Sequence, residues 1–321
     1  VRALVTGCAG FIGSQLSERL LADGHEVVGV DCLTDYYPTS IKRANLEIAR
    51  AHSRFTFIEA DLVEVDLPPL VEGIDVIYHQ AAQPGVRGSW GKSFDIYVRN
   101  NISATQRLLE ALKERPPRKF VYASSSSVYG DAEAYPTSED ALPRPVSPYG
   151  ATKLAAEHLV SLYWRNYGVP TVALRYFTVY GPRHRPDMAF HRFIRSALEG
   201  RPIDIYGDGE QTRDFTFIAD ALDANIAAGQ CEASGLALNI GGGSRVSVNQ
   251  VIAMLEELLD RKIAVRYAEN ARGDVRHTSA DTRSAHEHLG YNPKVGLRAG
   301  LAAEIAWLKD ALDRDLLGAP Q

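Results

Sequence analysis

The chain has 321 residues, 45% of them hydrophobic and 23% charged, enough to bury a sizeable core or two closely packed lobes. A net charge of −5 excludes a general pull toward nucleic acid or an anionic membrane. Three scattered cysteines (Cys8, Cys32, Cys231) exclude a disulfide framework, and neither a signal-peptide pattern nor a bilayer-long apolar run is present, so a soluble cytoplasmic protein is expected.

Short β-branched runs open the chain and recur at "RALVT" (2–6), "EVVGV" (26–30), "FTFIE" (55–59), "DVIYH" (75–79), "KFVYA" (119–123) and "TVALRYF" (171–177). Helical patterns separate them. One spans 11–22, where Ile12, Leu16 and Leu20 recur every four residues, and another spans 94–114, stopped by Pro116-Pro117. Near-continuous apolar strands alternating with helices predict a parallel sheet covered on both faces, a Rossmann-type doubly wound α/β fold. Its ligands belong at the carboxyl ends of the strands. After residue 177 the alternation loosens: "IDIYG", "LALNIGGG" and "IAVRYA" mix with helical patterns near 218–229, 247–259 and 297–314, predicting a smaller α/β lobe.

"VTGCAGFIGSQL" places Gly7, Gly10 and Gly13 between the first strand and the first helix. Glycines there allow a tight turn and let a pyrophosphate approach backbone N–H groups at a helix N-terminus. Asp31 ends the second strand, where a carboxylate accepts the ribose 2′-hydroxyl of NAD and repels the 2′-phosphate of NADP. NAD is therefore the expected cofactor. Residues 1–177 with about 214–243 are expected to bind it, and about 178–213 with 244–321 to hold the substrate.

"SPYGATK" carries Tyr149 and Lys153. Ser147 suits an N-cap and Pro148 a first helical position, so the two residues share one helix face, with an ammonium near a phenol oxygen. Positive charge from Lys153 and an oxidised nicotinamide lowers a tyrosine pKa, and a phenolate takes a proton from a sugar hydroxyl. "VYGPRHRPDMAFHRF" (179–193) gathers Arg183, His184, Arg185, His191 and Arg192 after the sixth strand, which points to an anionic ligand. No cysteine or carboxylate set near the two histidines has metal-ligand spacing, so no metal is expected.

The Gly-x-x-Gly-x-x-Gly spacing resembles the extended short-chain dehydrogenase/reductase family. "ADL" (Asp61, Leu62) is similar to that family's adenine contact, "HQAA" (Gln80, Ala81, Ala82) to its dinucleotide-lining turn, and Asn101 to the asparagine that supports its active site. The resemblance adds Phe11, Ile12, Cys32 and Tyr176 to the cofactor contacts, alongside Tyr149 and Lys153. It also implies that Ser125, four positions before Tyr129, hydrogen-bonds the reacting oxygen, so that Ser125, Tyr149 and Lys153 are the catalytic set. Family 4,6-dehydratases follow that serine with Asp-Glu and related decarboxylases usually keep the Glu; here Ser126 and Ser127 leave only hydride removal and return, as in a 4-epimerase.

"PGVRGSW" (84–90), "FTVYGPRHRPDMAF" (177–190) and "GDGEQTRDF" (207–215) look most like UDP-glucuronic acid 4-epimerases, with Thr178 where galactose epimerases carry Asn. The resemblance implies Arg185 and Thr178 at the sugar, Arg192 and Arg213 at the diphosphate, and further substrate contacts from Arg87, Ser125, Ser126, Ser127, Tyr149, Ala189, Phe190, Tyr206, Gln211 and Asp274. In "GDVRHTSAD" (273–281) the usual upstream arginine is displaced, with Ala271 in its place and Arg272 following. A homodimer through helices at about 94–114 and 150–167 is implied too, the second offering Leu154, Leu159, Leu162 and Trp164. The alternatives are a UDP-glucose/galactose epimerase, a UDP-glucuronate decarboxylase, or a non-catalytic NAD-binding interaction protein.

Overall fold

The computed structural model describes residues 1–269 and 272–317; Ala271 lies outside them, and the neighbouring Arg272 is exposed. Six strands fall where the apolar runs predict: β1 (Arg2–Thr6), β2 (Glu26–Asp31), β3 (Phe55–Glu59), β4 (Val76–His79), β5 (Lys119–Ser125) and β6 (Thr171–Tyr176). A further strand, Leu236–Ile240, joins them in a seven-stranded sheet of order 236–240, β6, β5, β4, β1, β2, β3. Every pairing in it is parallel. Alternate side chains enter two cores. Val5, Tyr78, Val121 and Leu174 pack with Leu16 and Ala221 on one face, while Leu4, Ile77 and Phe120 pack with Leu108 and Val160 on the other.

Residues beyond β6 build a third core from Phe190, Ile203, Ile205, Leu255, Leu301 and Leu308. Its helices run Ala189–Leu198, Val248–Leu259 and Leu297–Asp313, and its strands Ile203–Tyr206 and Val265–Ala268 pair in parallel. The carboxyl ends of β5 and β6 therefore face a second wall of side chains. No helix among the described residues is long and apolar enough to cross a membrane.

Two expectations change in detail. The segment 94–114 is not one regular helix: a turn at Phe94–Tyr97 leads into a π-turn, Val98–Ser103, before the helix Ala104–Leu112. The wide turn holds buried Asn101, a common use of π geometry at a functional site. In the helix Pro148–Tyr167, Leu154 packs beside Tyr129 and Phe177, Leu159 joins a central core, and Trp164 covers Gly235. Of the four residues offered for an interface, Leu162 alone is exposed, at 52%.

Candidate active site

The glycine loop is shaped by contacts that no side chain could share. Gly7 has φ +69°, and a Cβ there would stand 2.8 Å from the Ala81 nitrogen; one on Gly13 would stand 2.2 Å from the Gly7 oxygen. The loop delivers Phe11 and Ile12 to the start of the helix Phe11–Ala22, whose first N–H groups are the natural anion site. Asp31 accepts from the Ala9 N–H at 3.0 Å and the Leu33 N–H at 2.8 Å, leaving lone pairs on both oxygens for a ribose. Cys32 beside it is exposed. Asp61 accepts from the Val63 N–H at 2.8 Å and pairs with Arg99 at 2.5 Å, and Leu62 is buried in the core.

The turn after β4 is anchored from beneath. Ala81 N–H donates to Thr6 Oγ1 at 3.1 Å, and Thr6 Oγ1 lies 2.8 Å from His79 Nδ1. His79 Nε2 lies 2.9 Å from Thr105 Oγ1, which donates to the Asn101 carbonyl at 2.7 Å. The Asn101 side chain accepts from the Gln83 N–H at 2.7 Å and donates to Thr152 Oγ1 at 3.0 Å, inside the helix of Tyr149 and Lys153. Asn101 is thus a strut between the turn after β4, which carries Ala82, and the helix of Tyr149 and Lys153. Gln80 and Tyr176 meet at Asn225: Gln80 Nε2 and the Tyr176 hydroxyl each donate to its Oδ1 at 2.9 Å.

A cavity of about 980 Å³ opens at the carboxyl ends of β5 and β6. Lining it together are Phe11, Ile12, Arg87, Ser125, Ser126, Ser127, Tyr149, Tyr176, Thr178, Arg185, Ala189, Phe190, Arg192, Tyr206, Gln211, Arg213 and Asp274. Gly7, Gly10, Gly13, Asp31, Asp61 and Lys153 are not part of this lining. Ser147 caps the helix of Tyr149 and Lys153 by accepting from the Gly150 N–H at 3.1 Å, with Pro148 in the first turn as expected. Burial pushes the Tyr149 hydroxyl above the usual tyrosine range, while a hydrogen bond with Ser125 and the charge of Arg185 pull it down. Burial lowers Lys153 to about 7, against a counter-pull from Glu157. Ser125 and Arg185 are thus the groups that favour ionisation of Tyr149 in the cofactor-free site.

The cation-rich segment divides its labour: His184, Arg185, His191 and Arg192 line the cavity and Arg183 does not. Arg183 pairs with Glu18 at 2.8 Å, fastening the loop to the first helix. His184 Nδ1 lies 2.9 Å from Glu304, and His191 Nδ1 lies 2.7 Å from the His184 carbonyl. Arg183 thus serves the fold, whereas His184 and His191 also line the cavity, and the Nε2 of each is buried with no partner among the described residues. Arg185 lines the cavity with a ready partner: Nε and Nη2 each donate to Asp187 at 3.0 Å. At the far end the guanidinium of Arg87 stands 4.0 Å from the Tyr206 ring centroid and that of Arg192 5.9 Å. Arg87 also bridges to Asp274 at 2.7 Å, joining the turn after β4 to the segment after residue 271. Arg213 donates to the carbonyls of Thr212 and Arg276. Gln211 donates to the Tyr206 carbonyl, and its buried Oε1 has no partner among the described residues. Ala189 and Phe190 begin a helix, adding free N–H groups to the same wall.

Sequence reasoning missed Glu157, Arg175, Ser124 and Glu304. Each is buried. A carboxylate four residues beyond Lys153 on the same helix was the available signal.

A model of the NAD dependent epimerase/dehydratase family matches residues 3–241. The chain is 47% identical to a Bacillus subtilis protein named as an uncharacterized UDP-glucose epimerase, YtcB, over 96% of this chain and 98% of that one. It is 39% identical to the UDP-glucuronate 4-epimerase of Thermodesulfobacterium geofontis, over 97% of each. A crystal structure of UDP-glucuronic acid 4-epimerase from Bacillus cereus, in complex with UDP-glucuronic acid and NAD, superposes with a TM-score of 0.94 at 47% identity, covering 97% of this chain and 99% of that one. The matched span includes the glycine loop, Ser125, Tyr149 and Lys153, and the chain belongs to the NAD-dependent epimerase/dehydratase family.

Proposed function

We propose that this chain is an NAD-dependent epimerase that interconverts UDP-glucuronate and UDP-galacturonate at C4. The observation that carries the reading is the arrangement beyond Ser125: Ser126, Ser127 and Thr178 line the cavity with Tyr149 and Arg185. No acid or base pair for eliminating water follows Ser125, and hydroxyl donors with a guanidinium suit a sugar carboxylate. The glycine loop fits a dinucleotide because backbone fills the space a side chain would need, and Asp31 retains free lone pairs. Bound NAD supplies a reversible hydride acceptor.

The chain's own residues manage the proton and the geometry. Tyr149 takes the proton of the C4 hydroxyl, Ser125 donates to the same oxygen, and Lys153 supplies positive charge beneath the phenol. Arg192 and Arg213, with the start of the helix Ala189–Leu198, meet the diphosphate; Asp274, Gln211 and Tyr206 meet the nucleoside. A β-keto acid loses CO2 readily when its carboxylate stands perpendicular to the ketone, so Ser126, Ser127, Thr178 and Arg185 must hold it away from that angle. We assign the protein to the cytoplasm and a homodimeric state, the latter supported by exposed Phe94, Ile96, Leu162 and Tyr167 near the two helices.

Incubation with UDP-glucuronate and, separately, UDP-glucose tests the reading, with products separated chromatographically and absorbance followed for NADH. UDP-galacturonate should form without added reductant, without NADH accumulation and with little UDP-pentose. CO2 release as the main reaction, stoichiometric NADH, or turnover of UDP-glucose alone would refute it.

A further inference from the structure

Lys153 is 3% exposed, and its ammonium stands 4.5 Å from the ring centroid of Tyr122. Tyr122 is itself buried, and its hydroxyl has no partner among the described residues. One helical turn beyond Lys153, on the same face, lies Glu157, 8% exposed. Its carboxylate is held by Arg175 from β6, with Nη2 at 2.6 Å from Oε1 and Nε at 3.2 and 3.1 Å from the two oxygens. Ser124, the residue before Ser125, donates to Oε2 at 2.5 Å. Arg175 reaches on to the Tyr129 hydroxyl at 2.7 Å, and Tyr129 to Asn239 at 2.7 Å. The carboxylate is thus clamped by Arg175 and Ser124, one helical turn beyond the buried Lys153 and beside the end of β5 that carries the proposed catalytic serine.

We propose that Glu157 is a positioning residue for the acid/base pair: its clamped carboxylate is the counter-charge that keeps the Lys153 ammonium protonated at depth. A buried lysine without a carboxylate nearby discharges several pH units early. The other titratable groups around Lys153 offer no negative charge in its place. Burial raises the hydroxyls of Tyr122 on β5 and of Tyr149 on the same helix, so neither is a standing charge before Tyr149 ionises to act as the base, and Tyr97 lies edge-on to Tyr149. His79 on β4 is neutral, and Arg175 adds positive charge beyond the carboxylate. The assignment rests on the reading that Tyr149 and Lys153 are the acid/base pair, so Lys153→Met is the control: if that variant keeps its activity, the reading of the pair fails, whatever Glu157 does.

The test is the pH profile of kcat with UDP-glucuronate for Glu157→Gln, Glu157→Asp and the double variant Glu157→Gln/Arg175→Gln, each with a melting curve. Glu157→Gln should move the alkaline limb down by on the order of one to two pH units, the size expected for an opposite charge one helical turn away. The double variant removes the stranded guanidinium charge, so its melting temperature should recover while its alkaline limb stays displaced. Glu157→Asp keeps the charge and should return the limb toward wild type. A double variant with a wild-type limb, or Glu157→Asp displaced as far as Glu157→Gln, would show a purely structural role and overturn the proposal. Where the glutamine variants do not fold, Ser124→Ala decides: it leaves both charges and loosens only the carboxylate, and an unmoved alkaline limb overturns the proposal while a smaller downward shift supports it.

Discussion

Replacing Lys153 with methionine should abolish turnover and stabilise the cofactor-free fold. Burial lowers the ammonium from 10.5 to about 7. Each tenfold loss of proton affinity corresponds to about 1.36 kcal/mol, so the folded chain carries a burden of about 5 kcal/mol below pH 7, where lysine is protonated in both states. Between 7 and 10.5 the unfolded chain holds a proton that the folded chain has released, so wild-type stability rises with pH across that window. Above 10.5 the burden is gone. Methionine fills nearly the same volume without a charge, so its margin over wild type should be several kcal/mol at pH 6 and shrink by about 1.4 kcal/mol per pH step above 7. Urea unfolding of both cofactor-stripped proteins at pH 6, 7.5 and 9 measures this. A methionine variant less stable than wild type at pH 6, or a margin independent of pH, would refute the argument.

Tyr149→Phe should lower kcat by on the order of 10²–10⁴ with an unchanged circular dichroism spectrum, and a near-normal rate would remove Tyr149 from its role. Gly13→Ala drives a Cβ to 2.2 Å from the Gly7 oxygen, so purified protein should lose its NAD, as read by the nucleotide released on denaturation. Glu304→Leu leaves the Gly181 N–H and the His184 ring without their acceptor and should cost about 2–5 kcal/mol in urea unfolding. Leu162→Glu places charge at the most exposed leucine of the helix Pro148–Tyr167; light scattering should show a dimer for wild type and a smaller mass for the variant.

The strands and the glycine loop were legible because each follows from a local rule. Continuous apolar runs mark strands buried on both faces, and the glycine spacing marks a turn where backbone meets backbone. Ser147 as a cap and Pro148 at the first helical position likewise mark the start of the helix Pro148–Tyr167. What the sequence could not reveal was which cation meets which anion. Arg183, His184 and Arg185 are adjacent in the chain, yet they turn to Glu18, Glu304 and Asp187, carboxylates that lie 165, 120 and 2 positions away. The π-turn at 98–103 was hidden for a related reason: its cause is the reach of Asn101 to Gln83 and Thr152, tertiary contacts that periodicity does not record.

The buried link through His79 has a single polarity. Thr105 spends its only hydroxyl hydrogen on the Asn101 carbonyl, so the 2.9 Å contact with His79 needs the hydrogen on Nε2. His79 Nδ1 is then a bare acceptor and takes the hydrogen of Thr6, whose oxygen receives the Ala81 N–H. Burial holds the ring neutral, with a pKa of about 3, so this tautomer persists at any pH where the protein works. Thr6, His79 and Thr105 each give one hydrogen and take one, between the Ala81 N–H, which only gives, and the Asn101 carbonyl, which only takes, so the direction is fixed at both ends. The turn after β4 and the Asn101 strut are therefore tied together through one imidazole, and a replacement for His79 that only donates or only accepts severs the relay at one end while leaving the other intact.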